Sequence, residues 1–392
     1  MSEEVYIVAA RRTPIGAFQG ALSPLTAPQL GAAAVQAAIK DSGLAAEQID
    51  DTILGCVLMA GIGQAPARQA ALAAGVPQRV PATTINKMCG SGLKAVMMAS
   101  DQIRAGSANI ILAGGIESMT NAPYLLPKAR AGLRMGNAEL LDHMFVDGLQ
   151  SPFDGNMMGH FADATAKKYG FTRQQQDEFA SESVRRSLAA VESGQFSAEI
   201  AAVTVKDRKG ERVVAKDETP FTCDIAKIPN LKPAFNKDGT VTAASSSSIS
   251  DGAAALVVVS AAAVRKHNLR PLARVVNYAS FAQAPEWFTT APVGAIQSVL
   301  TQTGWSADQV DLYEINEAFA CVAMAAIHDL RLEHAKVNVN GGACALGHPI
   351  GATGARILTT LVHALKQRGG KRGIASLCIG GGEATALAVE LV

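Results

Sequence analysis

The stretch Asn86-Lys87-Met88-Cys89-Gly90-Ser91-Gly92-Leu93-Lys94 joins two different hydrophobic patterns in this chain of 392 residues. The segment 81–85 before it predicts a β-strand. Apolar residues at helical spacing over 93–103 predict a helix, and Gly106 supplies its end. Cys89 is therefore expected at the point where a strand turns into a helix.

Two features of this turn favour a reactive cysteine. Gly90 and Gly92 remove side chains, so the backbone can turn sharply and another molecule can come close. The first N–H groups of a helix lack partners and carry partial positive charge, which favours the nucleophilic thiolate. The alternative is a buried structural cysteine, because free cysteine is among the most buried residue types. The turn by itself leaves both interpretations open.

Length and composition limit the class of protein. The 392 residues are too many for one compact core, so two or three domains are expected. A hydrophobic content of 48% with 18% charged residues predicts large buried interiors rather than disorder. The formal net charge of +1 gives no reason to expect nucleic acid or an anionic membrane as a partner.

The cysteines and the apolar runs bear on the compartment. Six cysteines are spread along the chain without a CxxC pair, which fits a reducing compartment better than a disulfide framework. Residues 1–5 lack the basic and apolar regions of a signal peptide. No apolar run reaches about 18 residues, so no membrane span is expected. These features predict a cytoplasmic protein.

Strands and helices alternate over residues 5–118. Strands are expected at 5–10, 53–59 and 108–113, the last ending at Gly114-Gly115, and helices at 27–43 and 64–74. This alternation predicts an α/β layered fold with a mostly parallel sheet.

The pattern changes after Glu117. Residues 118–248 are irregular, apart from a helix over 172–192 that Thr172 and Gln175 begin as a capping box. A strand pair at 203–205 and 212–214 is joined around Lys209-Gly210. This block is predicted to be an insertion with its own small subdomain.

The C-terminal part repeats the order of elements in the first. Strands are expected at 273–279, 310–315 and 373–379, and helices at 291–304 and 351–368. An internal duplication is the simplest explanation. The predicted domains are 1–118 with 249–270, the insertion 119–248, and 271–392. Packing two such halves together would bring their glycine-rich turns to one shared site at the carboxyl ends of strands.

A second glycine-rich segment, 340–354, contains His348. Gly347 and Pro349 flank this histidine and fix its backbone, and five glycines in the segment leave room for a ligand. The alternative is a structural or surface histidine.

Two further residues follow predicted strands. Cys378 ends the strand 373–379, and Gly380 after it can offer an unobstructed backbone N–H. Asn316 follows the strand 310–315, where its amide can hold a water or donate to an oxygen. The alternative for Asn316 is a cap of the next helix.

Other chemistries fit less well. Cys344 and His348 are four residues apart, but no second pair completes a zinc site. Gly90-Ser91-Gly92 is too short for the GxSxG turn of a serine hydrolase. No GxGxxG follows the first strand, which disfavours dinucleotide binding. We therefore expect neither a metal nor a bound cofactor.

Taken together, four segments resemble the signature blocks of the thiolases, the acetyl-CoA C-acyltransferases. They are Asn86-x-x-Cys89-Gly-Ser-Gly, Asn316-Glu317-Ala318-Phe319-Ala320, Asn338-x-Asn340-Gly-Gly-x-x-x-x-Gly-His348-Pro-x-Gly-x-x-Gly and Cys378-x-Gly-Gly-Gly. The N-terminal Arg11-Arg12-Thr13-Pro14-Ile15-Gly16 also fits. The resemblance covers the whole chain and implies duplicated βαβαβ halves in a five-layered αβαβα core, with an inserted α+β loop subdomain.

The resemblance also implies a reversible Claisen exchange between acyl-CoA and acetyl-CoA. Cys89, activated by His348, would take the acyl group as a thioester. Cys378 would move the proton on the α-carbon of acetyl-CoA. One oxyanion hole would consist of His348 and a water held by Asn316, and the other of the N–H groups of Cys89 and Gly380.

In the thiolases the inserted block holds the coenzyme A tail, so acyl-CoA and CoA are the implied partners. The residues implied for the pantetheine tunnel and the thioester are Leu149, Met157, Ala234, Phe235, Ala243, Ser247, Ala318 and Phe319. The alternative for 245–248 is a flexible polar loop. A homo-oligomer, either dimer or tetramer, is implied by the resemblance.

The sequence departs from the pattern of some thiolases at one position of the pocket, and alternative functions stay open. Met157 stands where short-chain acetoacetyl-CoA thiolases often carry a histidine, which makes the pocket more apolar. A broader or longer-chain 3-ketoacyl-CoA thiolase, or a 3-oxoadipyl-CoA thiolase, is therefore the alternative to an acetyl-CoA C-acetyltransferase. A ketoacyl synthase would use one cysteine, so Cys378 favours a thiolase. A non-catalytic acyl-CoA or lipid-binding protein would be expected to lack one of Cys89, His348 and Cys378.

Overall fold

Strands and helices alternate at both ends of the chain, with a block of shorter elements between them. The computed structural model describes residues 3–208 and 210–392. The strands are β1 (Val5–Arg12), β2 (Gly16–Ala17), β3 (Asp51–Gly55), β4 (Ala82–Ile85), β5 (Ile110–Ser118), β6 (Tyr124–Leu125), β7 (Leu141–Asp142), β8 (Val203–Asp207), β9 (Gly210–Val214), β10 (Ser250–Ser260), β11 (Ala273–Ala282), β12 (Leu312–Ile315), β13 (Arg372–Ile379) and β14 (Glu383–Leu391). The helices are α1 (Ala27–Ser42), α2 (Pro66–Ala73), α3 (Ser91–Arg104), α4 (Met158–Tyr169), α5 (Arg173–Glu192), α6 (Ala261–His267), α7 (Ala291–Thr303), α8 (Ala320–Leu330), α9 (Ala343–Leu346) and α10 (Ile350–Arg368).

The main sheet has the strand order β12-β13-β14-β11-β1-β10-β5-β3-β4, and β2 pairs with β10. Only β12–β13, β3–β5 and β3–β4 are parallel neighbours in this order, and the other pairs are antiparallel. The prediction of a mostly parallel sheet is wrong. For example, β14 follows β13 after three glycines without a crossover helix, so the two strands must run in opposite directions.

The sheet consists of two similar halves. They meet where β1 pairs with β11 through only two residue pairs. From this junction the order is β1-β10-β5-β3-β4 on one side and β11-β14-β13-β12 on the other. At the place that corresponds to β4, Val337 forms a parallel bridge with Tyr313 of β12. The halves therefore have the duplicated arrangement that the sequence predicts.

Helices and half-sheets form five layers. The helices α3 and α10 lie between the half-sheets, because their apolar residues share one cluster with inward-facing residues of β10 and β14. On the outer faces, α1 and α2 cover the first half, and α7 and α8 the second. Every residue of β10 is buried, since Leu256 and Val258 face inward while Val257 and Val259 face outward. The five-layered αβαβα prediction is confirmed.

Several predicted boundaries shift. Gly114 and Gly115 do not end a strand, because β5 continues to Ser118. A Cβ on Gly115 would clash with the carbonyl oxygen of Gly351, so this glycine lets α10 lie directly on the sheet. The strand expected at 53–59 is β3, and β14 was not predicted.

The block between β5 and β10 contains two short hairpins and the helices α4 and α5. The capping box of Thr172 and Gln175 at the start of α5 is confirmed, and so is the β8–β9 pair, although Lys209 in its turn lies outside the described residues. Buried Arg12 of β1 binds Glu199 and Asp217 of this block. The exact division into three domains stays a prediction.

Candidate active site

A largely apolar cavity of about 240 Å³ lies where the two halves meet the inserted block. Cys89, His348 and Gly380 line it, so the structure brings three of the predicted residues to one place. Six residues predicted for coenzyme A also line it, namely Leu149, Met157, Phe235, Ser247, Ala318 and Phe319. Ala234 and Ala243, by contrast, are exposed and are not part of the cavity wall.

The turn that presents Cys89 is held by Ser91. The Ser91 hydroxyl accepts from the N–H of Lys87 at 2.9 Å and donates to the carbonyl of Met88 at 2.6 Å. Met88 has a φ of +46°, in the left-handed region that costs a non-glycine residue roughly 1 kcal/mol. Cys89 therefore follows a strained residue that its neighbours hold in place.

Gly90 and Gly92 have a different purpose from the one predicted. Gly90 has a φ of −78°, which any residue can adopt. A Cβ on Gly90 would clash with Ile379, and a Cβ on Gly92 would lie 2.7 Å from the backbone nitrogen of Ala355. The glycines therefore admit β13 and α10, and the prediction that they leave space for a ligand is wrong. The sharp turn is present, because the N–H of Gly90 donates to the carbonyl of Lys87 at 3.0 Å.

The surroundings of Cys89 disfavour its thiolate. Burial raises the pKa of its thiol to about 11, although the N–H groups of Gly380 and of Cys89 itself act in the opposite direction. The field of the helix N-terminus does not outweigh the loss of water, so the predicted preference for a thiolate is wrong. A base is needed to form the nucleophile.

His348 is buried, and its hydrogen bonds define its tautomer. Its Nδ1 lies 2.6 Å from the Thr353 hydroxyl oxygen, and that hydroxyl donates to the carbonyl of Pro349 at 2.8 Å. Because the Thr353 oxygen can then only accept, we assign the ring proton to Nδ1 and the lone pair to Nε2. Nε2 has no hydrogen-bond partner within the described chain.

The charge of His348 follows from its surroundings. Burial, and then the positive charge of Arg356, lower the pKa of the imidazole to about 3. The ring is therefore neutral near pH 7 and able to accept a proton at Nε2. Thr353 and Arg356 were not singled out from the sequence. Their place one and two turns into α10 after His348 is the signal that could have indicated them.

Asn316 is buried, and it is not a helix cap. Its backbone N–H donates to the carbonyl of Ser376 at 2.9 Å, whereas α8 begins at Ala320 with Phe319 as its N-cap residue. Both polar atoms of the Asn316 side chain lack partners among residues 3–208 and 210–392. An unpartnered buried amide costs about 1–3 kcal/mol, which indicates a site for a polar group.

Cys378 is fully buried on β13, beside the cavity rather than in its wall. It packs in an apolar cluster with Ala318 and Phe319. Burial raises the pKa of the Cys378 thiol well above its usual range, and Cys89 is the next contributor in the same direction.

The glycines of 340–354 make room for protein. Gly347 has a φ of +102°, and a Cβ there would clash with Ser250. Gly341 and Gly342 are similarly close to Ser187 and Glu317. The prediction that these glycines leave room for a ligand is wrong.

The Asn338 side chain explains the first position of this motif. Its Oδ1 accepts from the N–H of Ile315 at 2.8 Å, and its Nδ2 donates to the Ile315 carbonyl at 2.9 Å. The amide thus extends the sheet beyond the edge of β12, just before Asn316. The sequence does not predict this contact, although the NxN spacing marks the residue.

Residues 245–248 are ordered by hydrogen bonds. The carbonyl of Ser245 accepts from Ala320, the N–H of Ser247 donates to Ala318 at 3.0 Å, and the carbonyl of Ser248 accepts from His348 at 3.1 Å. The alternative of a flexible polar loop is wrong.

All six cysteines are free thiols. In the part of the chain that is described, no three His, Cys, Asp or Glu side chains are grouped as metal ligands would be. Among the same residues, no helix has the length and apolar character needed to cross a membrane.

Two family models match almost the entire chain. The model described as "Thiolase, N-terminal domain" matches residues 5–262, and "Thiolase, C-terminal domain" matches residues 269–391. The chain belongs to the thiolase family.

Curated relatives and solved structures agree with this assignment. Acetyl-CoA acetyltransferases of Pseudomonas aeruginosa and Cupriavidus necator are each 50% identical, over 98% and 99% of both chains respectively. The Bacillus anthracis acetyl-CoA acetyltransferase structure has a TM-score of 0.97 at 42% identity, covering 100% of this chain and 99% of that one. The Acat5 thiolase of Ascaris suum, solved with coenzyme A, has a TM-score of 0.94 at 43% identity, with complete coverage of both chains.

These matches confirm the predicted activity at the level of the family. The chain is an acyltransferase of the thiolase type, and this reading is favoured over a ketoacyl synthase or a binding protein. The family membership also accounts for the four motif blocks and for the cavity that they share.

Proposed function

We propose that this thiolase is an acetyl-CoA acetyltransferase that forms an acyl-enzyme on Cys89. The observation that carries the proposal is that Cys89 and His348 line one cavity, with the Nε2 atom of His348 free of any hydrogen-bond partner among the described residues. The names of relatives that are 50% identical support acetyl-CoA as the substrate.

In the first half-reaction a proton moves from Cys89 to His348 and then from His348 to the departing CoA. His348 Nε2 takes the proton of Cys89, and the thiolate attacks the thioester carbonyl. The C–S bond to coenzyme A then breaks, and the departing CoA thiolate recovers the proton from His348. Asn316 holds a water that, together with His348, stabilises an oxyanion, in keeping with its buried, unpartnered amide.

The second half-reaction forms the carbon–carbon bond. Cys378 acts as the general acid/base for the α-carbon of acetyl-CoA. The enolate left after Cys378 takes the α-proton attacks the acyl carbonyl on Cys89, and the N–H groups of Cys89 and Gly380 stabilise the oxyanion of the tetrahedral intermediate. The C–S bond to Cys89 then breaks, 3-ketoacyl-CoA leaves, and the released Cys89 thiolate recovers the proton. In the reverse direction, CoA cleaves a 3-ketoacyl-CoA by the same steps.

The CoA thioester is proposed to lie along the apolar cavity wall. Leu149, Met157 and Phe235 contact the pantetheine, and Ser247 bonds one of its amides. Ala318 and Phe319 lie near the thioester, and Ala234 and Ala243 flank the entrance at the surface. CoA enters as a substrate, so no bound cofactor is required. A homo-oligomer is proposed from the family resemblance, and a reducing compartment such as the cytoplasm from the free cysteines.

The test is thiolysis of acetoacetyl-CoA by free CoA, run beside a longer 3-ketoacyl-CoA and 3-oxoadipyl-CoA. The wild type is expected to prefer acetoacetyl-CoA, and Cys89→Ser to lose turnover with all three substrates. Cys223→Ser, which removes a half-exposed thiol of the inserted block, is the matched control and should retain turnover. Preference for a longer or dicarboxylic substrate would contradict the acetyl specificity, and no thiolysis at all would contradict the proposal.

A further inference from the structure

A buried carboxylate that the proposed mechanism does not use lies at the end of β5. Glu117 is 0% exposed, yet its two oxygens are surrounded by donors. Oε2 accepts from the N–H of Val57 at 3.1 Å and of Gly351 at 2.9 Å. Oε1 accepts from the N–H of Leu58 at 3.1 Å and faces the thiol of Cys56 at 3.7 Å.

These contacts suit only the ionised carboxylate. Three of the four neighbours within hydrogen-bond distance are backbone N–H donors and the fourth is a thiol, so a proton on Glu117 would find no strong acceptor among these contacts. Burial favours the protonated acid and, even against these donors, raises the pKa of Glu117 to about 7. The three backbone donors act in the opposite direction and hold a buried negative charge in place.

The contact with Gly351 connects Glu117 to the segment that carries His348, the proposed base. Gly351 is the second residue of α10, and its N–H is one of the free donors at the N-terminus of that helix. His348 lies three residues before it, and Ile350 between them lines the cavity. The bond to Glu117 therefore fixes the start of α10 and, through it, the segment that carries the imidazole.

The contacts with Val57 and Leu58 connect Glu117 to the turn that carries Cys89, the proposed nucleophile. Val57 and Leu58 follow Cys56, whose N–H donates to the carbonyl of Ile85 at the end of β4. The Cys89 turn begins at the next residue. Val57 and Leu58 also pack in one apolar cluster with Met88 and Cys89.

We propose that Glu117 is a positioning residue that aligns Cys89 and His348 by pinning the loop after β3 and the start of α10 to one carboxylate. This proposal rests on the roles given to Cys89 and His348 in the proposed function. A misplacement of about 1 Å between reacting groups can cost on the order of 100-fold in rate, so the anchor should affect kcat.

The test compares Glu117→Gln with Glu199→Gln. The introduced glutamine would have the shape of Glu117, but its NH₂ group would face backbone donors. Glu199 is an equally buried carboxylate that binds Arg12 and Thr360 away from the cavity, so it controls for the loss of a buried charge. Glu117→Gln is expected to lower kcat for acetoacetyl-CoA thiolysis about 10- to 100-fold with KM changed less than about threefold, and Glu199→Gln to keep kcat within about threefold.

Alkylation by iodoacetamide supplies a readout that needs no CoA substrate. In Glu117→Asp, which keeps the negative charge but loses reach, Cys89 should react at least about twofold more slowly, because His348 is no longer held in place to take its proton. The buried Cys321 and Cys344 should stay unreacted, whereas unfolding would expose them as well.

The outcomes separate this proposal from the proposed function. A wild type without thiolysis contradicts the function, and Cys89 alkylation then still tests the anchor. Equal losses of kcat in Glu117→Gln and Glu199→Gln, or unchanged kcat in Glu117→Gln, would overturn the positioning role. If Glu117→Gln does not fold, Glu117→Asp decides, since it keeps the charge but loses reach: wild-type kcat in that variant would overturn the proposal.

Discussion

Thr353 decides which nitrogen of His348 carries the proton. Its hydroxyl donates to the Pro349 carbonyl and therefore accepts from Nδ1, which leaves the Nε2 lone pair for the thiol of Cys89. Because both the thiol and the imidazole are neutral at pH 7, activation is a proton transfer between them rather than a preformed ion pair. Catalysis should thus depend on the orientation of the ring.

Replacing this acceptor tests the orientation. In Thr353→Val the Nδ1 proton loses its partner and the ring can adopt the wrong tautomer, so kcat should fall roughly 10-fold or more. The matched control is Thr359→Val on the same helix, since the Thr359 hydroxyl donates only to the Ala355 carbonyl at 2.9 Å. Steady-state thiolysis measures both variants, and equal kcat values would contradict the role of Thr353.

The buried neutral imidazole also predicts a pH dependence of stability. In the unfolded chain His348 takes up a proton near pH 6.5, whereas burial lowers its pKa to about 3 in the folded protein. The unfolded state therefore binds more protons than the folded state as the pH falls below 6.5. This difference lowers the free energy of unfolding by up to about 1.4 kcal/mol per pH unit.

Urea unfolding at pH 7 and pH 5 measures this effect. The wild type should lose more free energy of unfolding between these values than His348→Gln, which lacks the titrating ring. Glu117 and Glu314, whose pKa values burial raises, titrate in both proteins, so the difference isolates His348. Parallel losses in the two proteins would show that the ring is not buried in its neutral form.

At the scale of elements, close contact between β5 and α10 fixes the start of the helix that follows His348. Gly115 of β5 lies directly against the carbonyl of Gly351, and Glu117, two residues later on the same strand, binds the Gly351 N–H. A side chain at residue 115 would push the helix away from the sheet.

Gly115→Ala should therefore be strongly destabilising. The added methyl group would overlap backbone atoms of α10. Overpacking of this kind costs about 1–3 kcal/mol or more. Gly252→Ala in neighbouring β10 is the control, because its nearest contact would be Pro349 Cγ at 3.3 Å. The free energy of unfolding should fall clearly more for Gly115→Ala, and a smaller loss than in the control would contradict the packing argument.

At the scale of the whole molecule, a buried ion cluster joins the inserted block to the first half. The Arg12 guanidinium of β1 binds Glu199 at 2.6 Å and Asp217 at 2.6 and 2.9 Å. Glu199 in turn accepts from Thr360 of α10 at 3.0 Å. The cluster thus connects the inserted block, the sheet and the central layer of helices.

Breaking this buried ion cluster should lower the free energy of unfolding by more than breaking an exposed ion pair does. Arg12→Met leaves two buried carboxylates without their cation, which typically costs about 3–5 kcal/mol. Arg185→Met removes an exposed pair with Glu182 and should cost no more than about 1 kcal/mol. Thermal or urea unfolding of both variants measures the difference, and similar losses would contradict the structural role of Arg12.

The sequence by itself determined what depends on near neighbours along the chain. Hydrophobic periodicity and capping residues place Cys89 between β4 and α3 and identify Thr172 as the N-cap residue of α5. The spacing of the motif blocks identified the family and the cavity-lining residues Cys89, His348 and Gly380. Such signals are local, so they survive without knowledge of the fold.

Tertiary structure decided what depends on distant neighbours. Strand direction, the use of the glycines for helix packing and the neutral state of Cys89 all follow from which elements enclose each residue. Glu117 shows the reason most clearly, since its partners Val57 and Gly351 are 60 and 234 residues away. Burial and hydrogen bonding depend on distance in space, and no sequence pattern near residue 117 indicates which residues will surround it.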